Sequence, residues 1–167
     1  MRTRVLVSLL LVVPSAAAVA SARPAGAAGT WAWPVTGPVI RAFDPPDSPY
    51  GSGHRGIDIA APAGSVVLAP ADGRIAFAGP VGGRLFLTID HSGGLESTYS
   101  WVASLDVRKG DLVQRGQPVA RSGAGHTGDP VTNLHLGVQL DDVYVDPLDY
   151  LEPADIAGWL HLAPMAV

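Results

Sequence analysis

The chain has 167 residues, 47% of them hydrophobic, no cysteine and a formal net charge of −4. Without cysteine neither a disulfide framework nor a lipidated cysteine is available, and the acidic balance argues against a nucleic-acid partner, which would favour a basic face. Arg2 and Arg4 open the chain, residues 5–13 are apolar apart from Ser8, and an alanine-rich stretch then ends in Ala20-Ser21-Ala22. That order predicts an export leader over residues 1–22, with Ala25-Gly26-Ala27 as a second possible cleavage point and an uncleaved anchor as the competing reading. The apolar run is too short to span a bilayer, so no stable membrane insertion is expected once the leader is gone. Removing it leaves 9 basic against 15 acidic residues, a charge of −6 over 145 residues. That length suits one domain with a real core.

Residues 23–33 are small and turn-prone and read as a short spacer ending at Trp31-Ala32-Trp33-Pro34. Short β-branched runs then alternate with Gly, Pro and Asp. They predict strands over residues 39–43, 65–69, 74–78, 84–90, 96–102, 118–121, 134–140 and 143–145. The fold class expected is all-β, a single domain of antiparallel sheet over residues 34–151. Turns are written at Asp72-Gly73, at Lys109-Gly110-Asp111 and at Gln114-Arg115-Gly116-Gln117-Pro118. Residues 152–167 form a tail in which 153–160 predict a turn or two of helix, weakened by Gly158.

Two segments carry chemistry. His54 and Asp58 stand four positions apart in Gly53-His54-Arg55-Gly56-Ile57-Asp58-Ile59. The surrounding glycines and Pro62 disfavour a helix there. In a straight strand, positions four apart share a face but lie about 13 Å from each other, so the segment must bend, and Gly56 permits it. That puts His54 on a loop and Asp58 at the entrance to a strand. In the second segment Leu134, Leu136, Val138 and Leu140 alternate with His135, Gly137 and Gln139, a period of two. The leucine face goes to the core, so His135 and Asn133 share the opposite face. Two imidazoles and a carboxylate form a set that binds zinc with a fourth position open for water. Spacing alone favours the plainer alternative, a histidine satisfied by backbone on a half-polar strand.

The blocks around these residues occur in one order: Trp33-Pro34-Val35, then residues 53–64, then Ala69-Pro70-Ala71-Asp72-Gly73, then Gly110-Asp111-x-Val113-x-x-Gly116-Gln117, then Leu134-His135-Leu136. In that order they resemble the lysostaphin/LytM-type zinc metallopeptidases, which cut peptide bonds in peptidoglycan. The match runs from about Trp31 to Leu151. The resemblance implies a duplicated hybrid motif fold with a groove across one face, Zn²⁺ held by His54, Asp58 and His135, and peptidoglycan as partner at an extracytoplasmic, wall-associated location.

Catalytic members of that family carry two further histidines. One opens a His-x-His on the last long strand, which here is Asn133; the other closes a Tyr-x-His, which here reads Tyr99-Ser100-Trp101. An amide cannot carry a proton at working pH, and an indole is a donor only. Losing a general acid or base costs about 10²–10⁴ in rate. His126, in Gly123-Ala124-Gly125-His126, is the candidate replacement acid/base or extra ligand; the bland reading is an exposed loop histidine. Glu96 and Asp129 are carboxylates with no assigned role. His91 is expected at a strand end, His161 exposed in the tail, and Trp31 and Trp33 packed on the sheet. Trp101 either fills the pocket left by the missing histidine or stacks on a glycan ring.

Two functions follow. One is a secreted zinc endopeptidase of weak turnover on wall peptides. The other is an inactive module that binds peptidoglycan or regulates another cell-wall hydrolase. A biotinyl or lipoyl carrier, suggested by Ala69-Pro70-Ala71-Asp72-Gly73, fails because the only lysine, Lys109, lacks the carrier context.

Overall fold

The computed structural model describes residues 29–48, 51–126 and 130–153. The expected leader, most of the spacer, the tail from residue 154, Asp129 and His161 lie outside the described residues. The described residues form ten strands: β1 (Val39–Arg41), β2 (Ile57–Ala60), β3 (Val66–Leu68), β4 (Gly73–Val81), β5 (Arg84–Asp90), β6 (Leu95–Leu105), β7 (Leu112–Val113), β8 (Pro118–Ser122), β9 (Asn133–Leu140) and β10 (Val143–Val145). Two short 3-10 turns, Ser92–Gly94 and Pro147–Asp149, are the helical pieces among the described residues. The fold is the expected antiparallel β architecture, an open sheet.

The sheet runs β1-β2-β9-β6-β5-β4-β7, with β10 on β9 and β8 joining β3 to β6. Leu134, Leu136 and Val138 of β9 are fully buried, together with Ile57 and Ile59 of β2, Leu87 and Ile89 of β5 and Tyr99 of β6. The period-two pattern of β9 therefore points where the sequence predicts, its leucine face into the core.

Connections depart from the sequence reading in two places. Asp72-Gly73 does not close a hairpin: β3 pairs with β8, whereas β4 pairs with β5 and β7. The two-residue hairpins are Gly82-Gly83 between β4 and β5 and Asp141-Asp142 between β9 and β10. All four of these loop residues have positive φ, from 48° to 80°, the conformation whose twist matches paired strands. β4 also runs on through Pro80, beyond the expected end at residue 78. Pro80 faces Leu85 of β5, while β7 pairs only with Gly73 and Arg74, so the other edge of β4 has no ladder for the proline to interrupt.

Trp31 is 1% exposed and bridges to Leu151, joining the two ends of the described chain. Trp33 donates its indole N–H to Glu152 O at 2.9 Å. Beside Trp31, ring centroids 4.6 Å apart, lies His91. Its Nδ1 donates to Asp72 O at 2.9 Å, so Nε2 accepts from the buried Ser97 hydroxyl at 2.8 Å. Burial holds the His91 imidazole below its ordinary value, against the opposing pull of the Asp72 carbonyl and of the Asp90 and Asp72 charges.

The depressed value sets a sign. The unfolded chain takes up this proton near about pH 6.5 and the folded chain only at lower pH, so the stability His91 contributes is complete above that pH and is lost as pH falls. His91→Asn, which removes two hydrogen bonds, should lower stability by about 1–2 kcal/mol at neutral pH, and the gap to wild type should narrow on acidification. Urea midpoints of both proteins at about pH 7.5 and pH 5.5 check this; an equal gap at both would contradict it.

Candidate metal centre

In the β2–β9 ladder Asp58 stands directly opposite His135, with Ile57 opposite Leu136 and Ile59 opposite Leu134 on the other face. One register thus buries four aliphatic side chains on one side and sets a carboxylate against an imidazole on the other, since facing positions bring Cβ atoms within about 5 Å. The result is His135 Nδ1 to Asp58 Oδ1 at 2.8 Å. His54 enters from the loop before β2, clamped by a backbone bridge to Asp44. Its Nδ1 donates to Ala42 O at 2.7 Å, which leaves the Nε2 lone pair facing inward. That Nε2 is 3.1 Å from both His135 Nδ1 and Asp58 Oδ1.

The bend expected at Gly56 is present, but the reason differs. Gly56 does not occupy left-handed backbone; a Cβ there would lie 2.2 Å from Leu136 O and 2.9 Å from the His135 ring. The glycine is required because β9 passes against it, which is what draws His135 to Asp58.

His126 reaches the same place. Its Nε2 is 3.3 Å from Asp58 Oδ1, and one donor atom from each of His54, Asp58, His126 and His135 lies within 4.8 Å of the others. Burial pushes the Asp58 carboxyl up, yet the hydrogen bond to His135 and the charges of His135, His54 and His126 together hold it below the ordinary carboxylate value. Asp58 Oδ2 is buried without a hydrogen-bond partner among the described residues. A carboxylate held ionised and an inward-facing lone pair, packed among imidazoles with one carboxylate oxygen buried, call for a cation, so the donor set fits a divalent metal.

Asn133 and Trp101 flank the cluster. Asn133, 1% exposed, opens β9 and donates from Nδ2 to Val131 O at 3.0 Å. Trp101 is the extra residue of a bulge: Leu85 faces Val102, while the next residue, Phe86, faces Ser100. Its φ is 58°, a left-handed value uncommon for so bulky a residue and usual for glycine at such bulges. At this point β6 exchanges partners on its other edge, from β9 up to Ser100 to β8 from Val102 onward. The Trp101 ring stands edge-on to His126, centroids 3.8 Å apart, and carries the Arg84 guanidinium 5.4 Å from its own centroid. A cleft lined by Arg84, Trp101, Gly123 and Gly125 runs alongside.

His54, Asp58, His135 and His126 therefore converge, as the sequence reading allows. Glu96 does not: it faces Gln139, four residues along β9 from His135. His91 belongs to the separate network under Trp31. Sequence reasoning missed Ala42 and Asp44, whose backbone groups orient His54 and leave no side-chain signal, and Arg84 on Trp101.

Residues 52–147 match the model for Peptidase family M23, and the chain belongs to that family. Its sequence is 36% identical over 124 residues to the murein hydrolase activator NlpD of Escherichia coli, covering 73% of this chain and 31% of that protein. The chain thus spans about a third of this relative's length. Among solved structures it resembles a zinc-containing peptidase from Vibrio cholerae (TM-score 0.59, 27% identity, 75% of this chain and 41% of that one). In fold it also resembles the catalytic domain of lysostaphin from Staphylococcus simulans (TM-score 0.55, 23% identity, 64% of this chain and 86% of that one).

Gly56→Ala should destabilise the protein by about 1–3 kcal/mol, because its Cβ would meet the Leu136 backbone, which cannot swing aside, as well as the His135 ring. A urea midpoint equal to that of wild type would contradict the close approach of β9.

Proposed function

We propose that this chain is an exported M23 module, spanning residues 34–151 behind a leader over 1–22, that binds peptidoglycan peptides and regulates a second wall hydrolase instead of cutting efficiently itself. His54, Asp58 and His135 hold Zn²⁺, the ion favoured by an imidazole and carboxylate set of this kind. Where its coordination leaves a position open, such an ion would polarise a carbonyl and lower the pKa of a bound water to about 7. The chain's own residues then decide whether protons can move. At the two positions where the family's catalytic members carry histidines, this chain offers an amide and an indole, and neither shuttles a proton. That is the observation on which the reading rests. Both side chains are also engaged elsewhere, Asn133 with Val131 O and Trp101 with His126.

The similarity to a murein hydrolase activator supports the regulatory half of this reading. The acidic net charge of −4 gives no basis for nucleic-acid binding. Among the described residues no helix is long and apolar enough to cross a membrane. A slow endopeptidase is the second reading, favoured by one observation: His126 Nε2 lies 3.3 Å from Asp58 Oδ1, within reach of the site's chemistry.

The purified protein should bind one zinc per chain and sediment with insoluble peptidoglycan. Its release of new amino termini should fall at least about 100-fold below that of a family member carrying both histidines. It should also stay at the background set by its own His135→Ala variant. Release clearly above that background would favour the slow endopeptidase, and absence of sedimentation with the wall would sink the binding role.

A further inference from the structure

His126 does more than stand near the metal ligands. We propose that it is the fourth ligand of the same centre, so that the metal is held by three imidazoles and one carboxylate with no position left for water. This inference rests on the assignment of His54, Asp58 and His135 as metal ligands. In a tetrahedral site with metal–nitrogen bonds of 2.0–2.1 Å, donor atoms lie about 3.3 Å apart. The separations of 2.8, 3.1 and 3.1 Å among the first three donors, and of 3.3 Å from His126 Nε2 to Asp58 Oδ1, are of that size, and all four donors lie within 4.8 Å of one another. His126 turns its Nε2 to the shared carboxylate oxygen, the direction a ligand takes.

The placement of His126 is built by the residues around it. Gly123 lies so close to the Trp101 carbonyl that a Cβ would come within 2.1 Å of it, which pins the start of the loop to the bulge. Gly125 has a φ of +80° and backs onto the Asn133 side chain, where a Cβ would be 2.6 Å away. Trp101, held at left-handed φ, sets its ring against the His126 ring. The two residues that replace the family's proton-transferring histidines are thus the two that seat His126. Two losses and one gain form a single change, from a site with an open coordination position to a closed one, and closed sites are structural. As a ligand, His126 has its inward nitrogen committed and cannot also serve as the proton carrier of a slow peptidase.

Cobalt(II) loaded into the full chain tests this, because its visible absorption reports coordination without any turnover. Wild type should take up one cobalt per chain and show a spectrum unchanged by added azide. His126→Ala should still take up one cobalt, with affinity lowered about 10–100-fold or more, and its spectrum should shift on adding azide as the vacated position fills. A wild-type spectrum that shifts with azide would overturn the closed centre without touching the other three ligands, and that arm depends on no variant. A His126→Ala protein with wild-type affinity and no response to azide would remove His126 from the ligand set. Failure of wild type to bind cobalt or zinc at all would instead sink the metal assignment itself, and the inference with it.

Discussion

The site depends on one register. Asp58 meets His135 across the β2–β9 ladder only if Ile57 and Ile59 meet Leu136 and Leu134 on the opposite face. A slip of one residue would turn the aliphatic side chains to the polar side and separate the carboxylate from the imidazole. Burial of four aliphatic side chains, each contributing about 1.5–3 kcal/mol when fully removed from water, therefore holds in place a polar cluster that is costly by itself. Gly56 is what allows this register to close, since any side chain there would strike the backbone of β9.

The second constraint is the exchange of partners along β6. Its inner edge serves β9 up to Ser100 and β8 from Val102, and Trp101 sits at the junction in left-handed backbone. A strand that changes partners must leave a gap between the two it serves, and the chain from β8 to β9 begins at that gap with Gly123 against the Trp101 carbonyl. The bulge thus sets where the loop starts, and the loop delivers His126. Strain of this kind, of order 1–3 kcal/mol, persists only where surrounding structure holds it, and both ladders of β6 do so here.

Much of this is legible in the amino-acid sequence. The alternation of β9 is a local signal, and it correctly assigns Leu134 and Leu136 to the core and His135 to the opposite face. The all-β antiparallel fold follows from regular runs and turn residues. What the sequence hides is non-local. Asp72-Gly73 has hairpin chemistry, yet the strands it joins find other partners, while Asp141-Asp142 makes a true two-residue hairpin without glycine. Gly56 is legible as necessary but for the wrong cause, because the approach of a strand some eighty residues away leaves no mark in the local sequence. Trp101 at positive φ contradicts its own local preference, so no propensity argument could place a bulge there.

On the reading proposed above, Asn133 and Trp101 stand where catalytic members of the family carry histidines, and such an absence would usually read as simple decay, in which a lost side chain leaves a hole or a solvent-filled pocket. The replacements here are not holes. Asn133 is buried and hydrogen-bonded, and Trp101 is larger than the histidine it stands for and packs against another imidazole. A pocket emptied by drift has no reason to acquire a strained tryptophan, or a glycine turned into left-handed backbone against the replacing amide. Trp101 lies against the His126 ring and Asn133 against the backbone of Gly125 just before it, so both bear on where His126 is held. On that proposed reading, the cluster of three imidazoles and a carboxylate is kept while the means of moving protons is removed, which is the combination expected where a metal stabilises a binding surface and does not activate water.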